Sequence, residues 1–155
     1  MLVYEQGRII AQGTPLEVLG APRTLSVANL AGLENIFIGR IAARHTEGGT
    51  MSVQIGAITI ETPDNGQAVG ETVNIAISAR DILLAALEPR ATSARNILTG
   101  QVSQLLPREL NYYVTVDCGI PFSVLITRQA AVELAITVGA RVWLAFKAHS
   151  CHLLS

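Results

Sequence analysis

The chain has 155 residues, 11 Lys and Arg against 12 Asp and Glu, and a hydrophobic half. That much apolar material builds a packed core and excludes wholesale disorder. A net charge of −1, with only one Trp, three Tyr and three Phe, argues against a phosphate-gripping duplex binder and against a stacking platform for single strands.

Residues 2–13 read as two short strands around the Gln6-Gly7 turn. Thr14-Pro15-Leu16-Glu17 then makes a strong helix start. Thr14 is a cap, Pro15 suits the first helical position, and Glu17 completes a capping box. Gly20-Ala21-Pro22 stops that helix, and a second short one is expected from Arg23 to Ala31. These pieces are too small to bury a core and must pack on something else. From Gly32 onward the pattern changes to alternation. Met51–Ile55, Ile58–Ile60 and Val73–Ser78 read as strands, and Gly48-Gly49 and Asp64-Asn65-Gly66 as turns.

The alternating region repeats. Leu33-Glu34-Asn35-Ile36-Phe37-Ile38-Gly39 aligns with Ala94-Arg95-Asn96-Ile97-Leu98-Thr99-Gly100, and Gly70–Ala79 aligns with Gly139–Ala148. The second copy holds extra residues, which fall around Ile126–Ala135 and read as a short helix capped by Thr127. Leu87–Thr92 is the junction between copies. The expected fold is mainly β: two tandem, small, OB-like β-barrels, the second with one short helix, preceded by a short α+β tail. The expected domains are 1–30, 31–90 and 91–155.

Several chemistries find no support. There is no phosphate loop, no His-Glu-x-x-His, no paired Cys-x-x-Cys and no nucleophile elbow. The chain as it stands is not expected to be an enzyme. No apolar stretch approaches the length of a membrane span and the start is not patterned as a signal peptide, so a cytoplasmic location without membrane insertion is expected. Two cysteines make no disulfide framework. His149, Cys151 and His152 are soft or imidazole ligands, but strand alternation would put His149 and Cys151 on one side and His152 on the other.

Ser93-Ala94-Arg95-Asn96 combines a hydroxyl, a guanidinium, an amide and consecutive backbone N–H groups. This donor set suits a small oxyanion. The residues alone leave a second reading open, in which Asn96 and Gly100 shape a strand start and Arg95 is merely solvated. Lys147 is the only lysine of the chain and stands at the end of a repeat anchor, on an expected strand. Thr127 opens the helix peculiar to copy two, where an N-terminus favours anions.

Ser93–Gly100, Ile126-Thr127-Arg128-Gln129, Leu134 and Phe146-Lys147-Ala148 together resemble a Mop domain, the molybdate- and tungstate-binding module of TOBE type. Residues 33–88 resemble a degenerate companion that keeps Asn35 and has Ser78-Ala79 in place of Lys-Ala. Tyr4–Leu19 is similar to the last strands and helix of an ABC-transporter ATPase domain. The whole resembles the C-terminal part of a molybdate importer's ATP-binding subunit, without its nucleotide-binding core.

The resemblance implies a homodimer that binds molybdate or tungstate, and no ATP, at a dimer-interface site. It implies contacts from Ser93, Arg95, Thr127 and Lys147 and from backbone groups of Ala94 and Ala148. The family often has a Ser three residues after the Thr, where this chain has Ala130. It further implies regulation of an importer, with membrane permease subunits as partners through the ATPase core. That places the chain at the cytoplasmic side of the inner membrane. Nucleic acid is not an expected partner. Two other functions fit the same residues. One is a ligand-free dimerisation module, favoured by Ala130 and by the degenerate first copy. The other is a freestanding molybdate storage protein, against which residues 2–30 speak.

Overall fold

The computed structural model describes residues 1–154. At the N-terminus, strands β1 (Leu2–Glu5) and β2 (Arg8–Gln12) pair antiparallel around Gln6 and Gly7, both at positive φ. Two consecutive left-handed residues match the right-handed twist of the flanking strands, which is why a Gly stands there. Helix α1 (Pro15–Gly20) has the full capping box, with the Glu17 amide donating to Thr14 Oγ1 at 3.2 Å and the Thr14 amide donating to Glu17 at 2.8 Å. Helix α2 spans Leu25–Leu30, shorter than the expected 23–31, because Thr24 caps it and accepts from the Val27 amide. Ser26 ties α2 to the hairpin by donating to Glu5. Ala28 is fully buried against Ala76 and Leu154, so the N-terminal segment docks on the β structure that follows it.

That β structure is two five-stranded antiparallel sheets, each curled into a half-barrel. The first is built from β3 (Asn35–His45), β4 (Thr50–Ile55), β5 (Ile58–Pro63) and β6 (Thr72–Ile77). The second is built from β8 (Asn96–Arg108), β9 (Asn111–Asp117), β10 (Pro121–Thr127) and β11 (Arg141–Phe146). Each sheet takes its fifth strand from the other half of the sequence. After β6 a 3₁₀ turn, Ala79–Asp81, leads to β7 (Leu83–Ala85), which pairs with β11. After β11 a 3₁₀ turn, Ala148–Ser150, leads to β12 (His152–Leu154), which pairs with β6. The strand orders β12-β6-β3-β4-β5 and β7-β11-β8-β9-β10 are thus the same order in two copies. The repeat seen in the sequence is a repeat of structure.

Helix α3 (Arg128–Glu133) is the extra element of the second copy and is capped by Thr127 as expected. Ile126 belongs to β10 rather than to the helix. Strand β11 ends at Phe146, so Lys147 stands at the cap of the 3₁₀ turn and not on a strand. The same turn carries His149. The alternation that would have put His149 and Cys151 on one face therefore does not apply: His149 is exposed, and Cys151 is buried at the turn's end.

One continuous core joins the half-barrels. Ile41, Met51, Ile60 and Ile75 from the first meet Val102, Val116, Phe122 and Leu144 from the second. Phe37 and Phe122 touch across the junction with ring centroids 4.9 Å apart, and Phe122 packs on Phe146 at 5.9 Å. Such tilted pairs add to the burial term. The curl of each sheet needs Gly39 and Gly100. A Cβ on Gly100 would run into the Asp117 carbonyl and lie 2.8 Å from Cys118 Sγ, and one on Gly39 would run into the Val53 side chain. Each glycine is followed by a bulge, between Ile41 and Ala43 or between Val102 and Gln104.

Candidate functional site: a cationic cavity between the two units

Asn96 is the anchor of the site. It opens β8, is 3% exposed, and grips Glu61 on β5 of the other unit. Its Oδ1 accepts from the Glu61 amide at 2.7 Å and its Nδ2 donates to the Glu61 carbonyl at 2.9 Å. A buried amide with both ends bonded to the backbone of one residue has a fixed position. The three residues before it, Ser93, Ala94 and Arg95, are thereby set against the first unit. They meet the turn after β11 at a cavity of about 490 Å³. The second unit supplies Ser93, Arg95, Lys147, Ala148 and His149. The first unit supplies Gly48, Thr50 and Glu61.

The cavity is a place of unbalanced charge. Among the described residues Arg44 pairs with Asp64 and Arg90 with Glu88, and neither Arg95 nor Lys147 has a carboxylate at ion-pair distance. Lys147 caps the 3₁₀ turn without any side-chain hydrogen bond to it. Its counterpart Ser78 does cap its own turn, accepting from the Arg80 amide at 3.3 Å. The turn after Lys147 therefore begins with a cation where the other begins with a capping hydroxyl. Two cations, the Ser93 hydroxyl and the start of a turn are donors without an acceptor, a set that suits an anion. The Glu61 carboxylate is the opposing group. It lines the cavity and accepts from Thr50 Oγ1 at 2.7 Å.

Of the residues singled out in the sequence, Ser93, Arg95, Lys147 and Ala148 come together here. Ala94 lines an adjoining cavity of about 180 Å³ with Ser93 and Lys147, and its amide is already bonded to Thr92 Oγ1 at 3.1 Å. Thr127 does not line the cavity. It lies at the far end of β10, and its hydroxyl accepts from the amide of Ala130 at 3.1 Å. The first-unit contributors, Thr50 and Glu61, are invisible to local sequence reading. Only the pairing of the two units brings them to Lys147. The structural repeat gives Glu61 a counterpart, Ser123 on β10, which Asn35 grips in the same way.

No group of three metal-ligating side chains comes together among the described residues. Burial pushes the Cys151 thiol up to about 12, and burial with the neighbouring Asp117 pushes Cys118 up to about 11. Both stay protonated near neutrality, which is the state of an inert structural thiol. No helix among the described residues is long and apolar enough to cross a membrane.

Residues 92–153 match the TOBE domain. The chain is 30% identical over 149 residues to the molybdate/tungstate import ATP-binding protein WtpC of Pyrococcus horikoshii, covering 96% of this chain and 40% of that protein. It is 33% identical over 121 residues to the molybdenum import ATP-binding protein ModC of Rhizobium meliloti, covering 77% of this chain and 34% of that protein. The chain thus spans well under half the length of the curated relatives it matches. The solved structure of ModG, a cytoplasmic molybdate-binding protein with molybdate bound, aligns with a TM-score of 0.67 at 26% identity. The alignment covers 77% of this chain and 94% of that one.

Proposed function

From the premise that residues 92–153 form a TOBE domain, we propose that the chain binds molybdate or tungstate as the C-terminal portion of an importer's ATP-binding subunit. The observation that carries this reading is the cavity in which Ser93, Arg95 and the sole lysine, Lys147, converge. Molybdate is a tetrahedral dianion. Lys147 and Arg95 balance its charge, and Ser93 and the Ala148 amide supply donors to its oxygens.

The chain works as a homodimer in this reading. Thr127, exposed at the start of α3, then belongs to the surface that a second copy covers, and with Ala94 it completes the family's ligand set. Anion binding that favours one dimer arrangement shifts the population by its differential affinity alone. Through that shift cytoplasmic anion regulates import, and the permease subunits are met through the ATPase portion at the inner membrane. In this reading the chain itself performs no catalysis and binds no ATP. The domain units are 1–30, 31–90 and 91–155, with the terminal strands of the last two exchanged.

A ligand-free dimerisation module is the second reading. Glu61 favours it, because a carboxylate beside Lys147 and Arg95 offsets part of the charge an anion would see. A freestanding storage protein is less favoured, since the chain carries the extra segment 2–30, whose Ala28 packs on Ala76 and Leu154.

Calorimetric titration of the purified chain with molybdate, with sulfate as control and a sizing column alongside, separates the readings. Molybdate binding by a dimer, abolished in Lys147→Ala with the fold intact, is the expected result. A dimer that gives no heat with either anion overturns the binding reading and leaves the dimerisation module.

A further inference from the structure

The cavity has a counterpart in the first unit, and that counterpart is already filled. The structural repeat pairs Asn96 with Asn35, so Arg95 corresponds to Glu34, and Lys147-Ala148 corresponds to Ser78-Ala79. The ladders pair Ser52 with Glu61 and Thr115 with Ser123, which makes Thr50 the counterpart of Tyr113. At the first-unit position Glu34 turns its carboxylate onto the other members of the set. Oε2 accepts from the Ala79 amide at 2.8 Å, and Oε1 accepts from the Tyr113 hydroxyl at 3.2 Å. Tyr113 comes from the second unit, so the carboxylate bridges the two units as a bound anion would.

We propose that Glu34 is a tethered anion that occupies the first unit's oxyanion position, so that the pair of units takes one oxyanion and not two. This rests on the binding reading above. Three facts combine here. The residue at the position of the ligand-facing Arg95 has the opposite charge. Its carboxylate is bonded to the amide that corresponds to Ala148. The next amide of that turn, on Arg80, is taken by Ser78. The donors that remain open at the second cavity are thus consumed at the first by the chain's own groups. A side chain already in place carries no translational cost of binding, so a dissolved dianion competes poorly with it. Its charge also repels one directly.

The test counts equivalents of molybdate, and of sulfate, bound per chain by calorimetry. It uses the wild type, Glu34→Ala, and Glu34→Ala combined with Lys147→Ala. The expected wild-type value is one equivalent. Glu34→Ala is expected to gain a second, weaker one, and the double variant is expected to keep only that weaker one. Glu34→Gln, which retains a side-chain oxygen for the Ala79 amide, is the folding control and is expected to stay at one. If wild type and Glu34→Ala both bind one equivalent with equal affinity, Glu34 blocks nothing and the inference fails while the binding reading stands. If wild type binds none and Glu34→Ala binds one, the Lys147 cavity is not a site and the count of one falls with the binding reading, while the blocking role of Glu34 stands. If neither binds, both fail.

Discussion

Asn35 and Asn96 make the same contact in opposite directions across the two units. Asn96, on the second unit, holds the amide and carbonyl of Glu61 on the first. Asn35, on the first, holds the amide and carbonyl of Ser123 on the second, at 2.7 and 2.8 Å. Both are 3% exposed. Each side chain therefore does for its partner strand what another ladder rung would do, at the exposed edge of a five-stranded sheet.

Removing Asn35 strands the amide and the carbonyl of Ser123, and removing Asn96 strands the Glu61 amide and leaves the Glu61 carbonyl only the Cys151 thiol at 3.8 Å. Asn96→Ala is expected to lower stability by about 2–4 kcal/mol, since an unsatisfied buried group costs roughly 1–3 kcal/mol. Asn35→Ala is expected to cost a similar amount. Asn96→Asp is expected to be worse than its size suggests, because a carboxylate oxygen would face the Glu61 carbonyl where Nδ2 now donates. Urea unfolding midpoints at constant slope check all three. A loss below about 0.5 kcal/mol for Asn96→Ala would mean that water replaces the amide without cost.

The exchanged strands couple the units further. Because β12 completes the first sheet and β7 the second, neither unit keeps its full ladder if the other unfolds. The two are expected to melt in a single transition, seen as equal calorimetric and van't Hoff enthalpies. Leu154→Ala tests the coupling from the C-terminal end. Leu154 is buried with Ala28 and Ala76 of the first half of the chain, and a buried Leu truncated to Ala costs about 2–5 kcal/mol. The single transition is expected to shift down as a whole. A split into two transitions would show that the units fold independently.

Local signals carried much of this architecture. Thr14 with Glu17, and Thr127 before α3, mark their helix starts through short-range hydrogen bonds that any reader of the sequence can place. The repeat carried Asn35 onto Asn96, and with it Glu34 onto Arg95. Three things were hidden. The strand exchange was hidden because β7 and β12 are three residues each, too short for an alternation signal, and their partners are set by tertiary closure. The cap role of Lys147 was hidden because the apolar run Val142–Phe146 gives no sign of where the strand stops. Thr50 and Glu61 were hidden because a site between two units takes residues far apart in the chain. Glu34 looked like simple degeneration of the motif until its carboxylate was seen bonded to Ala79.

The glycines at 39 and 100 divide by what they touch. A Cβ at Gly100 meets the Asp117 carbonyl, which is backbone and cannot turn away, whereas a Cβ at Gly39 meets first the Val53 side chain. Gly100→Ala is therefore expected to cost more than Gly39→Ala. Overpacked cores typically lose about 1–3 kcal/mol, and the backbone clash puts Gly100→Ala at the upper end or beyond it. Chemical denaturation of the two variants side by side decides the order. Equal losses would mean that the second sheet relaxes as easily as the first.

Alkaline stability follows from the buried thiol. Cys151 has a folded-state pKa of about 12 against an ordinary 9.0. The folded state keeps a proton that the unfolded state gives up, so this contribution is full below pH 9 and is lost as pH rises from there toward 12. Between pH 9 and 10 the loss is about 1 kcal/mol from this one group. Cys151→Ala is expected to be less stable at neutral pH, through lost packing, yet to show a shallower decline above pH 9. Parallel slopes for wild type and variant would remove Cys151 from the alkaline transition.

If the cavity takes an anion as proposed, Glu61 is the group that sets how strongly it attracts one. Its backbone holds Asn96, and that contact survives any side-chain change. Its carboxylate, bonded to Thr50, is the negative charge lining the cavity with Arg95 and Lys147. Glu61→Gln keeps an acceptor for Thr50 and deletes that charge. At a partly solvated distance the lost repulsion is worth about 1 kcal/mol, so molybdate is expected to bind the variant roughly fivefold more tightly, with the gain shrinking as salt is raised. Titrations of wild type and variant at two ionic strengths measure it. Weaker binding by Glu61→Gln would carry a different meaning: the carboxylate would then be accepting a hydrogen bond from the ligand, and the anion that fits the cavity would be a protonated one.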